Sequence, residues 1–384
     1  MNLSVAQRWQ VAAIILVGLN LRPVLASVPP LLDALQAATG MSDGAAGLMT
    51  ALPVFVMGLG ALSAAPLRRL LGERLGVLLG LAVIAIAAGA RLAAGQTGAL
   101  LATGVAAGLG IAIAQALLPG FIKARLAAAS SGVMGLYSTA IMGGAAIASV
   151  ATPLMARQQS LSLSLAAWAV PALIALACWA RAAGRAEAVA QNTSADRAHG
   201  RRAWLLAVFF GLGTGAYTLV LAWLPPYYTA LGWTPVAAGS LLGAVTVAEI
   251  AAGLLVSALI GRLPDRRPAL YLAIGSLLVG LAGLTIAPLA LAWPAAVLAG
   301  LGIGALFPLS LIVTMDHAAT PAQAGRLAAF VQGVGYLIAA TFPYAAGLIR
   351  QHVSDLRPAW GVMMAICAIL FAMALRFRPQ ADRR

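Results

Sequence analysis

Apolar runs about 20 residues long, each almost free of charge, recur along this chain, and nothing constrains its fold more. A bilayer core about 30 Å thick is crossed by about 20 helical residues rising 1.5 Å each. Runs of that kind fall at residues 9–32, 44–66, 75–93, 97–121, 131–156 and 163–181, then at 204–229, 235–260, 268–290, 292–315, 326–349 and 358–378. They predict twelve transmembrane helices. The short gaps collect Gly, Pro, Ser and Arg, as in "LLGERLG" and "GRLPDRRP", which are turn-forming or membrane-flanking residues. Composition agrees: 62% of residues are hydrophobic and only 9% charged, against roughly 25% charged in an ordinary soluble domain. A soluble core cannot hide that much apolar surface, so the solvent is lipid.

The net charge of +14 raises nucleic acid as a partner. The basic residues lie at segment ends and are not interleaved with aromatics on one face, so nucleic-acid binding is not expected. Membrane flanks explain them better, because basic loops stay in the cytoplasm. One side of the predicted topology holds Arg8, Arg68, Arg69, Arg74, Lys123, Arg125, Arg181, Arg185, Arg197, Arg201, Arg202, Arg262, Arg266, Arg267, Arg326, Arg376, Arg378, Arg383 and Arg384. The other holds only Arg91, Arg157, Arg350 and Arg357. Nineteen against four places both termini in the cytoplasm of a bacterial-type inner membrane. Arg8 precedes a run long enough to span, with no clear small-residue cleavage site, so no cleaved signal peptide is expected. Cys178 and Cys367 are single, each in an apolar run, so neither a disulfide framework nor metal-ligand spacing is present. No metal or other cofactor is expected.

The chain also repeats at a shift of 192, half of its 384 residues. "GMSDGAAGL" from Gly40 aligns with "GWTPVAAGS" from Gly232, and "AGLGIA" from Ala107 with "AGLGIG" from Ala299; Glu73-Arg74 aligns with Asp265-Arg266. Ser42 and Thr234 fall where helix N-caps are wanted before the second and eighth helices. The fold class expected is therefore an all-α integral membrane protein of twelve transmembrane helices in two pseudo-symmetric six-helix bundles. The bundles are residues 1–181 and 204–384, joined by a cytoplasmic linker at 182–203. Parallel halves of this kind are the major facilitator arrangement. Gly261-x-x-x-Asp265-Arg266-x-Pro268 resembles the facilitator loop motif Gly-x-x-x-Asp-Arg-x-Gly, and Arg69-x-x-x-Glu73-Arg74-x-Gly76 is a degraded copy. Asp265, Arg266, Glu73 and Arg74 are thus candidate gating-loop residues.

Only two ionisable side chains are expected deep in a span: Arg22 in the first helix and Glu249 in the eighth. Each costs about 2.5–3.5 kcal/mol at a bilayer centre, so each must face water or a partner. Pro23 adds polar backbone beside Arg22, because it cannot donate and clashes with the carbonyl near Leu19. Arg suits anion binding, since it stays charged and presents a planar donor fork. An Arg–Glu tie between the halves is the plainer alternative, but buried ion pairs contribute little to stability alone. Where Arg22 faces Glu249, an arriving anion would weaken the pull of Arg22 on the carboxylate and favour its protonation, which is a route to anion–proton symport. Asn20, Gln115, Tyr137, Tyr217, Gln332 and Tyr336 lie at compatible depth and join Arg22 as candidate substrate contacts, with Thr246 beside Glu249. Trp9, Trp204, Tyr227 and Tyr228 lie at span ends and suggest an interfacial belt. The pairs Gly104/Gly108, Gly211/Gly215 and Gly300/Gly304 suggest close helix contacts. His317, His199 and His352 are expected as loop residues.

"GLNLRPVLASVPPLL" resembles the first-helix signature of the cyanate and 2-nitroimidazole transporter family, carried here by Asn20, Leu21, Arg22, Pro23, Ser27 and Pro30-Leu31-Leu32. "GLGIAIAQALLPGFIK" in the fourth helix extends the likeness. The resemblance implies proton-linked movement of a small anion or polar heterocycle, and leaves its direction open. A multidrug/proton antiporter exporting apolar compounds is the alternative, although such a cavity would favour acids over Arg22. No G-x-x-x-x-G-K-[ST] signature for ATP appears, no catalytic cluster marks an enzyme, and no linker is long enough for a sensor's output domain. A channel is disfavoured by the lack of a recognisable filter. The partners expected are a small-molecule substrate, protons and the bilayer, with the chain acting as a monomer.

Overall fold

A computed structural model of the chain describes residues 4–93, 95–126, 129–183, 200–259, 262–263, 265–318 and 320–377. Linker residues 184–199, with Arg185, Arg197 and His199, lie outside them, as do Gly261, Arg378, Arg383 and Arg384. The described residues form helices and turns. Twelve helices are long and apolar enough to cross a membrane: Val5–Thr39, Asp43–Leu62, Ala64–Ala90, Thr97–Arg125, Gly132–Met155, Leu161–Ala182, Arg201–Ala230, Pro235–Leu259, Arg267–Ile286, Ala292–Asp316, Gln323–Val353 and Arg357–Ala374. They are numbered below as the first to twelfth spans.

Local chemistry sets their ends. The Ser42 hydroxyl accepts from the Ala45 N–H at 3.2 Å and the Thr234 hydroxyl from the Ala237 N–H at 3.3 Å, so both predicted caps form. The third span differs from expectation. Its helix begins at Ala64, eleven residues before the apolar run, and is interrupted at Gly72 (φ 64, ψ 167). That left-handed conformation is one that glycine alone adopts freely.

Large apolar side chains face outward from most spans, Ile86 (70% exposed), Leu272 (76%) and Ile286 (82%) among them. Patches of that size need a nonaqueous neighbour. Trp9 and Trp204 are exposed at span ends, as a belt requires. Tyr227 and Tyr228 are not part of it: both are buried, and each donates at 2.8 Å to a carbonyl at the end of the ninth span, Leu284 and Pro288 respectively. A phenol at a span end serves equally to close a neighbouring helix terminus, whose last carbonyls lack helical partners.

Glycines bring the spans together. A Cβ on Gly108 would lie 2.6 Å from Pro53 Cα, one on Gly300 2.5 Å from the Val245 oxygen, and one on Gly211 3.0 Å from the Gly335 oxygen. Gly108 and the pairs Gly211/Gly215 and Gly300/Gly304 are therefore close helix contacts, whereas Gly104 makes only an ordinary one, 3.6 Å from its nearest neighbours.

The first six spans meet the last six most fully at the end away from the Arg-rich loops. There Arg350 of the eleventh span reaches Asp33 at 3.0 Å and Asp43 at 3.5 Å, and lies 5.5 Å above the Trp223 ring. Thr229 of the seventh span also donates to Asp33. Arg350 thus ties the two halves together and is more than a membrane-flanking charge. The second span packs along the eleventh and the fifth along the eighth, whereas the fourth and tenth make no substantial contact.

Candidate functional site

Prolines break the first span and so place Arg22. The helix Val5–Asn20 stops, a single turn Pro23–Ala26 follows, then a 3-10 turn Pro29–Leu31 and the helix Leu32–Thr39. Arg22 caps the short turn with Pro23 as its first residue, the position where a missing N–H costs nothing. The carbonyl that Pro23 leaves without a donor belongs to Leu19. It sits where a Cβ on Gly144 of the fifth span would be, 2.1 Å away, and Gly18 packs on Tyr137 of the same span. The break that places Arg22 therefore also brings Tyr137 near it.

Arg22 is only 4% exposed. Its Nη1 points at the Met57 sulfur, 3.6 Å away, and its guanidinium lies 5.7 Å from the centroid of the Tyr217 ring. A thioether is a weak acceptor. Tyr336 on the eleventh span is in hydrogen-bonding reach of Arg22, and Arg22 acts electrostatically on Tyr137, Tyr217 and Glu249. Glu249 is buried, its backbone held against Gly304 of the tenth span. It forms no ion pair with Arg22, so the plain tie between the halves is not made.

Four buried atoms in this cluster have no hydrogen-bond partner: Arg22 Nε, the Tyr137 and Tyr217 hydroxyls and one Glu249 oxygen, Oε2. An orphaned buried polar group costs about 1–3 kcal/mol. Arg22 and Tyr137 come from the first six spans, and Tyr217, Glu249 and Tyr336 from the last six.

The remaining candidates divide. Gln332 precedes Tyr336 by one turn, on the strip of the eleventh span between its contacts with the second span (through Gly333) and the seventh (through Gly335). Gln115 is half-buried one turn beyond Ala112, on which Gly60 of the second span packs. Neither amide bonds to Arg22 or Glu249. Asn20 turns its amide onto the Leu16 carbonyl at 2.8 Å, and Thr246 bonds back to Leu242; both hold their own helices. His317 likewise bonds to the Val313 carbonyl at 2.7 Å and rests on Phe377.

The loop residues pair differently from their sequence motif. Asp265 binds Arg267 at 2.7 Å and Arg266 binds Asp316 at 3.0 Å. Arg74 donates to the Ala180 carbonyl at 3.1 Å, and Glu73 lies against Gly120. The repeated acid–Arg doublet thus makes different contacts in the two halves.

One functional candidate escaped the sequence. Arg91 was expected among the exposed flanking charges, and its side chain is instead 1% exposed, donating to Thr103 Oγ1 at 3.3 Å and Ser27 Oγ at 3.4 Å. A span-end arginine reads as a flank unless its neighbours are known, and no sequence spacing links positions 27, 91 and 103.

Residues 12–343 match the Major Facilitator Superfamily. The chain is 39% identical over 371 residues to the cyanate transport protein CynX of Escherichia coli (strain K12), covering 95% of this chain and 96% of that protein. It is 30% identical over 382 residues to the 2-nitroimidazole transporter of the same organism, covering 97% and 95%. The crystal structure of a D-xylose-proton symporter superposes with a TM-score of 0.80 at 14% identity, covering 97% of this chain and 98% of that one. With its twelve spans and these relatives, the chain belongs to the major facilitator superfamily and is a multi-pass membrane transporter.

Proposed function

We propose that the protein is a secondary active transporter of the bacterial inner membrane that moves a small anion, or a compact polar heterocycle, in a proton-coupled cycle. The observation that carries this reading is the group of four unpartnered polar atoms shared between the halves: donors on Arg22, Tyr137 and Tyr217 and an acceptor on Glu249. A ligand seated among them satisfies atoms that the protein leaves bare. Because Arg22 and Tyr137 come from one half and Tyr217 and Glu249 from the other, the ligand bridges the elements that rock in alternating access. Gln332, Gln115 and Tyr336 complete the lining, and Asp265, Arg266, Glu73 and Arg74 adjust at the basic end as the halves move. Both termini lie in the cytoplasm and the chain works as a monomer.

Charge balance explains how one site serves the two kinds of cargo named for the relatives. A monoanion on Arg22 with a proton on Glu249 gives the site the same total charge as a neutral azole whose N–H donates to ionised Glu249. Export of apolar compounds fits less well, since a fixed guanidinium repels cations and leaves its donors unmet. Thermal stabilisation of purified protein by cyanate and by 2-nitroimidazole at several pH values, beside Arg22→Ala, tests the reading. Stabilisation of both proteins equally removes Arg22 from the site.

A further inference from the structure

At the basic end, the first half carries an arginine that its own fold leaves unmatched. Shifting by 192 residues carries Arg74 onto Arg266 and Ala124 onto Asp316. Arg266 has Asp316 at 3.0 Å, so the second half supplies a counter-ion where the first half has a methyl. Arg74 makes no ion pair among the described residues. One of its five N–H groups finds an acceptor there, the Ala180 carbonyl at 3.1 Å near the end of the sixth span, and its Nε is unpartnered. The adjacent acid is engaged elsewhere: Glu73 turns to Gly120 of the fourth span, where Arg68 and Arg125 act on it.

The bond to Ala180 sets Arg74 beside Arg181, the next residue of the sixth span. Arg181 is exposed, and its side chain makes one long bond, 3.4 Å to the Ala177 carbonyl of its own helix. The shift carries Arg181 onto Met373, so this second cation also belongs to the first half alone. Topogenic charge accounts for arginines at this end. It does not account for two of them gathered at one helix terminus with no acid between them, since closing the Ala180 carbonyl takes a single donor.

The surface leading away from this pair is apolar in the pattern of a membrane face. On the third span Leu75, Leu79 and Ile86 are exposed, four and seven residues apart, so one helix face begins beside Arg74 and runs along the span. On the sixth, Val170 and Ile174 are exposed, and Ala177 and Arg181 continue the same face. The two spans pack on each other. Two lipid-facing stripes therefore end at the same two arginines, at span ends, where headgroups lie.

We propose that Arg74 and Arg181 hold the phosphate of an anionic phospholipid whose acyl chains lie along the third and sixth spans. Guanidiniums present forked donors that suit a phosphate, and basic clusters at cytoplasmic span ends attract anionic headgroups. A zwitterionic headgroup fits less well, because Glu73 is turned away and no other acid is there for its ammonium. Cargo binding at Arg22 plays no part in this site.

Purified protein in detergent is titrated with phosphatidylglycerol, phosphatidylethanolamine or phosphatidylcholine of identical chains, and with soluble glycerol 1-phosphate. Native mass spectrometry counts the bound molecules, and thermal melts follow the folded state. The proteins are the wild type, Arg74→Gln, Arg181→Gln, the double variant, and Arg157→Gln as a charge control at the other end. One phosphatidylglycerol should bind at least about tenfold more tightly than either zwitterionic lipid. Each single substitution should weaken it about fivefold and the pair about 25-fold, while Arg157→Gln matches the wild type. Equal binding of the three lipids, or equal affinity in the wild type and the double variant, overturns the site. Glycerol 1-phosphate binding as tightly as the lipid overturns the membrane-lipid reading in favour of a free phosphate ester. Should Arg74→Gln fail to fold, Arg181→Gln decides alone, because its side chain is exposed and makes only the one long bond: undiminished phosphatidylglycerol binding there overturns the proposal.

Discussion

The two halves of the molecule share their glycine contacts and differ in their chemistry. Shifting by 192 residues carries Pro53 and Gly108 onto Val245 and Gly300, and both pairs are backbone contacts in which a Cβ would come within 2.6 Å. Gly110 and Gly302 are related in the same way, at 2.5 Å and 2.6 Å from the helix each packs on. The same shift carries Arg22 onto Thr214, Met57 onto Glu249, Gly144 onto Tyr336 and Arg91 onto Gly283. Close helix approach tolerates only small residues, so Gly108/Gly300 and Gly110/Gly302 stay alike in both copies, whereas Gly144, which admits the Leu19 carbonyl in the first half, is Tyr336 in the second. Side chains pointing between the halves carry no such restriction. The guanidinium therefore sits in one copy and the carboxylate in the other, at the position where the first copy has the thioether that touches Arg22. A ligand that needs both must contact both halves.

Swapping residues between equivalent positions breaks this asymmetry, and the largest effect is expected at Arg22. Arg22→Thr installs the residue of the second half and should weaken anion binding at least about 100-fold, on the order of 3 kcal/mol, read by calorimetric titration with cyanate. Met57→Glu should do nearly as much by the opposite route: a carboxylate placed against Nη1 competes with every incoming anion, while the fold is retained. Tight anion binding in Met57→Glu would mean that the ligand sits elsewhere.

Glu249→Gln keeps size and one acceptor but no longer titrates. Cyanate binding should stay within about threefold of the wild type, while uptake loses its dependence on an imposed proton gradient. Azole binding should fall more than anion binding, because an amide oxygen is a poorer partner for the N–H than a carboxylate. Uptake by Glu249→Gln that still follows the proton gradient removes Glu249 from the coupling.

Much of this was legible in the sequence, for a physical reason. A span must be apolar over about 20 residues whatever surrounds it, so the twelve segments stand out without any tertiary information. Arg22 and Glu249 stand out because a charge in an apolar run is expensive. The contacts of Arg91, Arg350 and the two tyrosines at 227 and 228 were not legible. All lie at span ends, where a polar tip is cheap in sequence terms and only the neighbouring helix decides whether it faces water or protein. Asp33 and Asp43 offered the one clue to the Arg350 contact, as acids on a face with few bases. Gln115 and Asn20 show the converse: depth is readable from sequence, but helix rotation must be known to within about half a turn to say what an amide faces.

Smaller effects come from the scaffold. Gly304 supports Glu249 so closely that a Cβ would lie 2.3 Å from Glu249 Cα, whereas a Cβ on Gly104 would find nothing nearer than 3.6 Å. Gly304→Ala should destabilise the protein by about 1–3 kcal/mol and disturb coupling. Gly104→Ala should be neutral or stabilise by up to about 1 kcal/mol, the helix-propensity gain. Thermal melts of the two variants in one detergent check the contrast, and equal melting temperatures would mean that the tenth span shifts to admit the methyl.

The smallest effect belongs to the loop at the basic end. Hydrogen bonds from the Arg267 side chain to the Asp265 carboxylate hold that carboxyl below its usual range. A group depressed in the folded state adds stability that is present above its unfolded value, near pH 4, and is lost as pH falls through the folded value. Nothing in this pair therefore titrates between pH 5 and 8. Both side chains are partly solvent-exposed, where ion pairs contribute little. Arg266, the motif's own arginine, is bound to Asp316 and does not depend on Asp265. Asp265→Asn should leave melting temperature and cyanate uptake unchanged between pH 5.5 and 8. A clear loss of uptake with an unchanged melt would show that the carboxylate takes a second partner during the cycle, and would make this degraded loop a working part of the gate.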